Sequence, residues 1–411
     1  MTEKQDPAGP QPETEMMTRG WDPTRGMGSI KTPLFQTSTF TFETAAAAKR
    51  AFDITYGGAV PDADEEVGYI YTRLDHPNLV VVESRLALWD EADQALLFSS
   101  GMSAIYTALL TLLRPGDLIL HSSPLYGGTN SLFQNVLAPM GIEAVSFGPD
   151  AVEADLDELV AGGRLGVVYV ESPANPTNDI FDIGMAARVA SKHQSPTVVD
   201  NTYLGPLGQQ PHAHGADLVV YSATKGYGGH SDLVAGVVTG PVSLMRPIKT
   251  MRYRIGTHAD PHSAWLLGRS LETYALRAQR QVDNASRVAE FLAAHPKVSR
   301  VGYLGLIGAD DPGRALFERQ CTSTGAMITF EVKGGREEAF RFLDSMKLIG
   351  LATSLGGTES IASHPATTSH SNVDPETRRR MGVTEAMIRF SVGIEAADDI
   401  LVDLEQALAA V

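Results

Sequence analysis

Short runs that are apolar at almost every position recur through the middle of the chain, at 94–98 (QALLF), 118–120 (LIL), 167–170 (VVYV), 197–199 (TVV) and 218–221 (LVVY). Such runs have no polar face, so they predict strands buried on both sides. Segments with helical spacing alternate with them. Residues 78–89 place Leu79, Val82, Leu86 and Trp89 on one face, and 100–113 and 129–140 follow the same period. Strands and helices in alternation predict an α/β fold with a mostly parallel sheet between helical layers. Beyond about residue 276 the texture changes to a helix at 286–294, a strand at 326–332, a helix at 337–346, a strand at 388–392 and a helix at 398–410. This mixture predicts a smaller α+β domain closing on the first.

The first 74 residues follow neither pattern. Residues 1–20 are polar, carry Pro7, Pro10 and Pro12, and are expected to be disordered. The stretch 33–42 (PLFQTSTFTF) is β-branched and aromatic, which predicts an extended and buried segment. Residues 57–66, with Gly57, Gly58, Pro61 and a run of acids, predict an exposed loop or insertion.

Composition narrows the function. The 411 residues, 43% of them hydrophobic, suffice for two or three domains with a large core. A net charge of −16 disfavours polyanionic partners, so no nucleic acid and no membrane surface is expected. A single cysteine, Cys321, excludes an internal disulfide framework. The N-terminus lacks a signal-type apolar segment, and no apolar run reaches the roughly 18 residues of a membrane span. A soluble, cytoplasmic protein is expected.

In parallel sheets ligands bind beyond the carboxyl ends of the strands. The polar residues there are Ser99-Ser100-Gly101-Met102-Ser103, then Glu171-Ser172-Pro173-Ala174-Asn175-Pro176, then Asp200-Asn201-Thr202, then Ser222-Ala223-Thr224-Lys225-Gly226. Gly101 and Met102 open a helix and offer backbone N–H groups to an anion. Ser222 and Thr224 add hydroxyls. Asp200 supplies a carboxylate and Lys225 an amine. Pyridoxal 5′-phosphate needs this combination: donors for its phosphate, a carboxylate that keeps its ring nitrogen protonated, and a lysine for its aldehyde. Singly, such a lysine is a surface residue and such an aspartate a helix cap; jointly, at successive strand ends, they make a cofactor site.

The same residues carry a resemblance. Gln36-Thr37-Ser38-Thr39-Phe40, Tyr71-Thr72-Arg73, Ser100-Gly101-Met102-Ser103-Ala104, Tyr126-Gly127-Gly128-Thr129, the 171–176 and 200–202 stretches, Ser222-Ala223-Thr224-Lys225, Gly229-His230-Ser231-Asp232, Ser354-Leu355-Gly356-Gly357, His364-Pro365-Ala366 and Arg389-Phe390-Ser391-Val392-Gly393 resemble the Cys/Met-metabolism family of pyridoxal-phosphate enzymes, from about residue 30 to the end. The resemblance implies the fold type I architecture of such transferases. It divides the chain into an N-terminal arm contacting a neighbouring subunit (1–74), a cofactor-binding domain (75–275) and a C-terminal domain (276–411). It assigns Lys225 the covalent hold on the cofactor and proton transfer, and Asp200 the ring nitrogen. Tyr126 would stack on the ring and protonate the leaving sulfur, and Asn175 would contact the phenolic oxygen. Tyr71 and Arg73 would reach the phosphate of a neighbouring subunit in a homodimer paired into a homotetramer. Arg389, helped by Ser354, would take the α-carboxylate of an amino-acid substrate, which suits the guanidinium fork.

Within that family the resemblance favours γ-elimination of methionine, with γ-replacement on an O-acyl-homoserine as the alternative. Thr353 stands where cystathionine-handling members commonly carry an acid, which weakens both cystathionine readings. Gly128 stands where many methionine γ-lyases carry cysteine. A catalytically silent protein that keeps the fold is the non-enzyme alternative; the filled motif positions disfavour it. No metal is expected: the pairs His212/His214 and His364/His370 lack the carboxylates or thiolates of a metal cluster. Gly26-Met27-Gly28 follows no strand and makes a poor dinucleotide fingerprint. Cys321 is expected to pack as a small apolar residue.

Overall fold

The computed structural model describes residues 10–62, 65, 67–371 and 373–411. Seven strands form the first sheet: β1 (Gln94–Phe98), β2 (Asp117–Ser122), β3 (Glu143–Phe147), β4 (Arg164–Glu171), β5 (Thr197–Asp200), β6 (Leu218–Ser222) and β7 (Gly236–Gly240). Their order is β1-β7-β6-β5-β4-β2-β3, with β7 antiparallel to both neighbours and the other pairings parallel. The apolar runs are explained by burial on both faces. Val168, Val170, Val199 and Val219 enter one core, while Val167, Tyr169, Val198 and Val220 enter the other, all of them fully buried. No crossover helix lies between β6 and β7. The chain turns back through the loop 223–235, which carries Lys225, so β7 must run antiparallel.

The second sheet, β8 (Val298–Gly302), β9 (Met327–Val332), β10 (Gly350–Leu351), β11 (Ile361–Ser363) and β12 (Met387–Ser391), is ordered β10-β11-β12-β9-β8. Ile388, Phe390 and Val392 share one core with residues of the Tyr274–Ala294, Arg336–Ser345 and Ala397–Leu408 helices. Because side chains alternate along a strand, Arg389 and Ser391 must project from the opposite face, toward the large sheet. The expected helix at 286–294 is only the end of a 21-residue helix, Tyr274–Ala294, whose Tyr274 packs in the large-domain core and whose Val288 and Leu292 pack under the second sheet. The segment expected as one helix at 129–140 runs as an α-turn to Leu132, a wider π-type turn over Phe133–Leu137 and a tight turn over Ala138–Met140.

The expectation of a disordered start is corrected over 10–20; residues 1–9 lie outside the described residues. Pro12–Glu15 form a helical turn, and Met16 is fully buried in the core that holds Leu79 and Leu86. A single apolar residue within a polar, proline-rich stretch is enough to anchor it. Met16→Ala is expected to cost about 2–5 kcal/mol and to lower the denaturant midpoint without changing the slope; an unchanged midpoint would show that the anchor contributes nothing. The segment 33–42 is extended but joins no sheet beyond the isolated bridge Thr39–Tyr71, and Leu34 remains 40% exposed. Its expected burial is therefore not achieved within one chain. The loop at 57–66 is seen only in part, since 63, 64 and 66 lie outside the described residues; Glu65 ties it to Arg50 at 2.7 Å.

Candidate active site

The carboxyl ends of β4, β5 and β6 open into a cavity of 850 Å³ that also reaches the second sheet. Gly101, Met102, Tyr126, Asn175, Asp200, Ser222, Thr224, Lys225, Ser354 and Arg389 all line it. Tyr71 and Arg73 do not. They lie with Thr37, Ser38 and His258 along a separate cleft of 420 Å³, where Arg73 Nη1 donates to the Tyr253 carbonyl at 2.6 Å.

Each group is placed by local chemistry. Ser100 caps the Gly101–Leu112 helix: its hydroxyl accepts the Ser103 N–H at 3.0 Å, and Ser103 Oγ accepts the Ser100 N–H at 2.9 Å. The N–H groups of Gly101 and Met102 have no intrahelical acceptor and face outward. A Cβ on Gly101 would come within 2.9 Å of Ser222 Cβ, so only glycine lets this helix start lie against the end of β6. The result is a helix N-terminus beside a hydroxyl, which fits a phosphate. Thr224 is less free, since its hydroxyl accepts from the Ala235 N–H at 3.0 Å and donates to the Ala235 carbonyl at 3.2 Å.

Asp200 ends β5 in register with Glu171, which ends β4. Asp200 accepts from Thr202 N–H at 3.0 Å and from the Tyr169 hydroxyl at 3.3 Å. Burial pushes its pKa up, against the pull of these hydrogen bonds. Glu171 is pushed up to about 8, by burial and then by the charge of Asp200. Among the described residues neither carboxylate has a cationic hydrogen-bond partner. Two buried acids without a counterion call for a positive group between them and the cavity, and a protonated ring nitrogen fits Asp200.

Lys225 Nζ donates to Ser354 Oγ at 2.6 Å. Burial and then the charge of Arg389 push the lysine pKa down, toward the neutral amine. Arg389 is itself only 6% exposed; its Nη2 donates to the Ser354 carbonyl at 2.8 Å and its Nη1 to Asn175 Oδ1 at 3.1 Å. Ser354 thus touches both cations, and does so with φ at +98°, a left-handed backbone that costs a non-glycine residue roughly 1–3 kcal/mol. Neighbouring contacts hold it there. Gly356, at φ +73°, passes so close to Gly226 that a Cβ would sit 2.7 Å from its nitrogen. Tyr126 stands 44% exposed at the cavity mouth.

Sequence reasoning quoted Glu171 and Thr202 at strand ends but gave them no role, and it read Tyr169 only as part of a strand. The available signal for Glu171 was positional, the same strand-end address as Asp200. Tyr169 was hidden in an apolar run as a core residue. One histidine of each pair is held by a backbone carbonyl: His212 by that of Ala216 at 2.9 Å, and His364 by that of Glu385 at 2.9 Å. Cys321 is buried, and that burial pushes its thiol up to about 12, so it is inert as a nucleophile. Among the described residues no helix is long and apolar enough to cross a membrane.

Comparison with known proteins gives a consistent set of likenesses. The family described as Cys/Met metabolism PLP-dependent enzyme matches residues 13–409. The L-methionine γ-lyase of Pseudomonas putida is 40% identical over 97% of this chain and 97% of its own length. The O-succinylhomoserine sulfhydrylase of Pseudomonas aeruginosa is 37% identical over 92% of this chain and 90% of its own. Among solved structures, cystathionine γ-synthase from Xanthomonas oryzae pv. oryzae in complex with cystathionine superposes with a TM-score of 0.88 at 31% identity, covering 98% of this chain and 99% of that one.

Proposed function

Since this chain belongs to the Cys/Met-metabolism family of PLP-dependent enzymes, we propose that it is a cytoplasmic carbon–sulfur lyase that breaks methionine by γ-elimination, releasing methanethiol, ammonia and 2-oxobutyrate with uptake of water. The observation that carries the reading is one cavity in which Lys225 and Asp200 of the large sheet face Arg389 of the second sheet. The likeness to methionine γ-lyases and the neutral Thr353 before Ser354 support the choice of substrate. The lone unpaired cysteine suits a reducing compartment.

When bound, pyridoxal phosphate supplies an aldehyde for an amine and a protonated ring that draws electron density from the substrate's Cα. The protein does the rest. Gly101, Met102 and Ser222 would hold the phosphate, with Thr224 flanking, and Asp200 would keep a proton on the ring nitrogen. Lys225 is the amine for the aldehyde, and beside a bound substrate it carries protons to and from Cα and Cβ; its lowered pKa favours the neutral form both tasks need. Arg389 takes the α-carboxylate in its fork. Tyr126, at the mouth, would cover the bound cofactor and offer its hydroxyl proton to a departing thiolate.

Tyr71 and Arg73 serve the cavity of a second copy in a homodimer, itself paired into a tetramer. The placing of both residues in a cleft that shares no lining with Lys225's own cavity and the exposed aromatic rings of Phe52, Tyr56 and Tyr71 support this assembly.

A second reading, γ-replacement on an O-acyl-homoserine, is favoured by Gly128. A Cβ there would lie 2.5 Å from the Tyr126 ring, so the cysteine of many γ-lyases has no room beside Tyr126 as it stands here. The test is a substrate panel. Methionine alone should yield 2-oxobutyrate; its absence, with product formed from O-acyl-homoserine plus cysteine or sulfide, would select the second reading.

A further inference from the structure

Glu171 is only 5% exposed and has no part in the chemistry above, where Asp200 is the ring-nitrogen carboxylate. Its two oxygens serve two different segments. Oε2 accepts the Tyr126 N–H at 2.7 Å and Oε1 accepts the Asn175 N–H at 3.1 Å. Tyr126 forms one side of the cavity mouth. Asn175 leads to the other side, because its side-chain oxygen accepts from Arg389 Nη1 at 3.1 Å. One carboxylate therefore holds both ends of the space that a substrate must span, from the α-carboxylate at Arg389 to the leaving group beneath Tyr126.

We propose that Glu171 is a positioning residue that sets the spacing between Tyr126 and Arg389, and so the side-chain length that the site accepts. The residue type argues for it. Keeping a carboxylate here is costly, since burial and the neighbouring Asp200 both disfavour its charged form. A polar residue serving a single N–H would be cheaper. Two N–H groups approaching from separate segments require two acceptor atoms on one rigid group, and a carboxyl keeps a lone pair on each oxygen whether ionised or, with its O–H turned aside, protonated, whereas an amide has one acceptor and presents an NH₂ to the second donor. The backbone of Glu171 is itself fixed, its N–H donating to Ser122 Oγ at 2.9 Å.

The inference rests on the proposed site, with substrate lying between Arg389 and Tyr126, but its test does not need elimination to occur. The holoenzyme is titrated with L-norleucine, which has the length of methionine without a leaving group, and with L-alanine, both followed by cofactor absorbance. The parent should bind norleucine more tightly than alanine. Glu171→Gln should retain the cofactor spectrum and lose that preference by about tenfold or more, the range that separates side chains differing by methylenes. A norleucine-to-alanine ratio equal to the parent's overturns the proposal, including the case where both affinities fall together. If Glu171→Gln fails to fold or to hold the cofactor, Glu171→Asp is read by the same ratio, because it keeps two acceptor oxygens on a stem one methylene shorter and draws the two segments out of place. Absence of methionine turnover in the parent would count against the lyase reading and leave this ratio measurable.

Discussion

Lys225→Ala is expected to reduce turnover by about 10⁴-fold or more, since in the proposed reaction it removes both the amine that would bind the cofactor covalently and the group that would move the substrate's protons. The loss should be purely chemical. Lys225 Nζ touches Ser354 Oγ, a hydroxyl that can turn to another partner, and the lysine is pushed toward its neutral form, so no buried counterion is left behind. The variant should fold, keep its melting temperature within a few degrees, and bind pyridoxal phosphate only reversibly. Release of 2-oxo acid from methionine measures the first effect. Borohydride reduction followed by peptide mapping measures the second: the parent should carry the label on Lys225 and the variant nowhere. A variant retaining more than a hundredth of the parental rate, or a label on another residue, would remove Lys225 from the reaction.

Asp200→Asn should divide activity from stability. The amide oxygen still accepts the Thr202 N–H, but it carries no charge to hold a proton on the ring nitrogen. Removing one preorganised electrostatic group of this kind costs about 10²–10³ in kcat. Stability should move the other way. Asp200 and Glu171 are buried side by side, burial raises the cost of ionising each, and the charge of Asp200 raises that of Glu171 further. Neutralising Asp200 removes a buried charge beside Glu171, so the apoprotein should melt no lower than the parent. Steady-state kinetics and thermal unfolding of the apoprotein test the pair. A kcat within tenfold of the parent's would take the ring nitrogen away from Asp200, and a large fall in melting temperature would show that its carboxylate is chiefly structural.

Local pattern carried far where local physics is enough. Strands buried on both faces cannot be polar, so β1, β2, β4, β5 and β6 were legible as apolar runs, and the residues that follow them are where a parallel sheet puts its chemistry. Strands with an exposed face were not legible. β3 reads EAVSF and lies at a sheet edge, with Glu143 and Ala144 exposed; β8 lies at the edge of the second sheet. β7 is fully buried but is a short run between two glycines, and its antiparallel direction follows from the loop before it rather than from its own residues. The N-terminal segment misled because composition averages over residues, whereas Met16 is anchored by one contact surface that only the folded core supplies.

By itself, then, the chain's order of residues determined the parallel sheet and put Gly101, Met102, Asp200 and Lys225 at the strand ends that line one cavity, because each follows from a strand or helix a few residues away. The family resemblance named Ser354, Arg389, Tyr71 and Arg73, but only the tertiary structure gave the contacts that join Ser354 to Lys225 and Arg389 to Asn175, the carboxyl of Glu171 that joins Tyr126 to Asn175, and the separate cleft that holds Tyr71 and Arg73. Ser354 and Arg389 come in through the packing of the second sheet against the first, and Glu171 meets Tyr126 across 45 positions of the same domain; contacts between distant segments leave no period in the sequence that connects them.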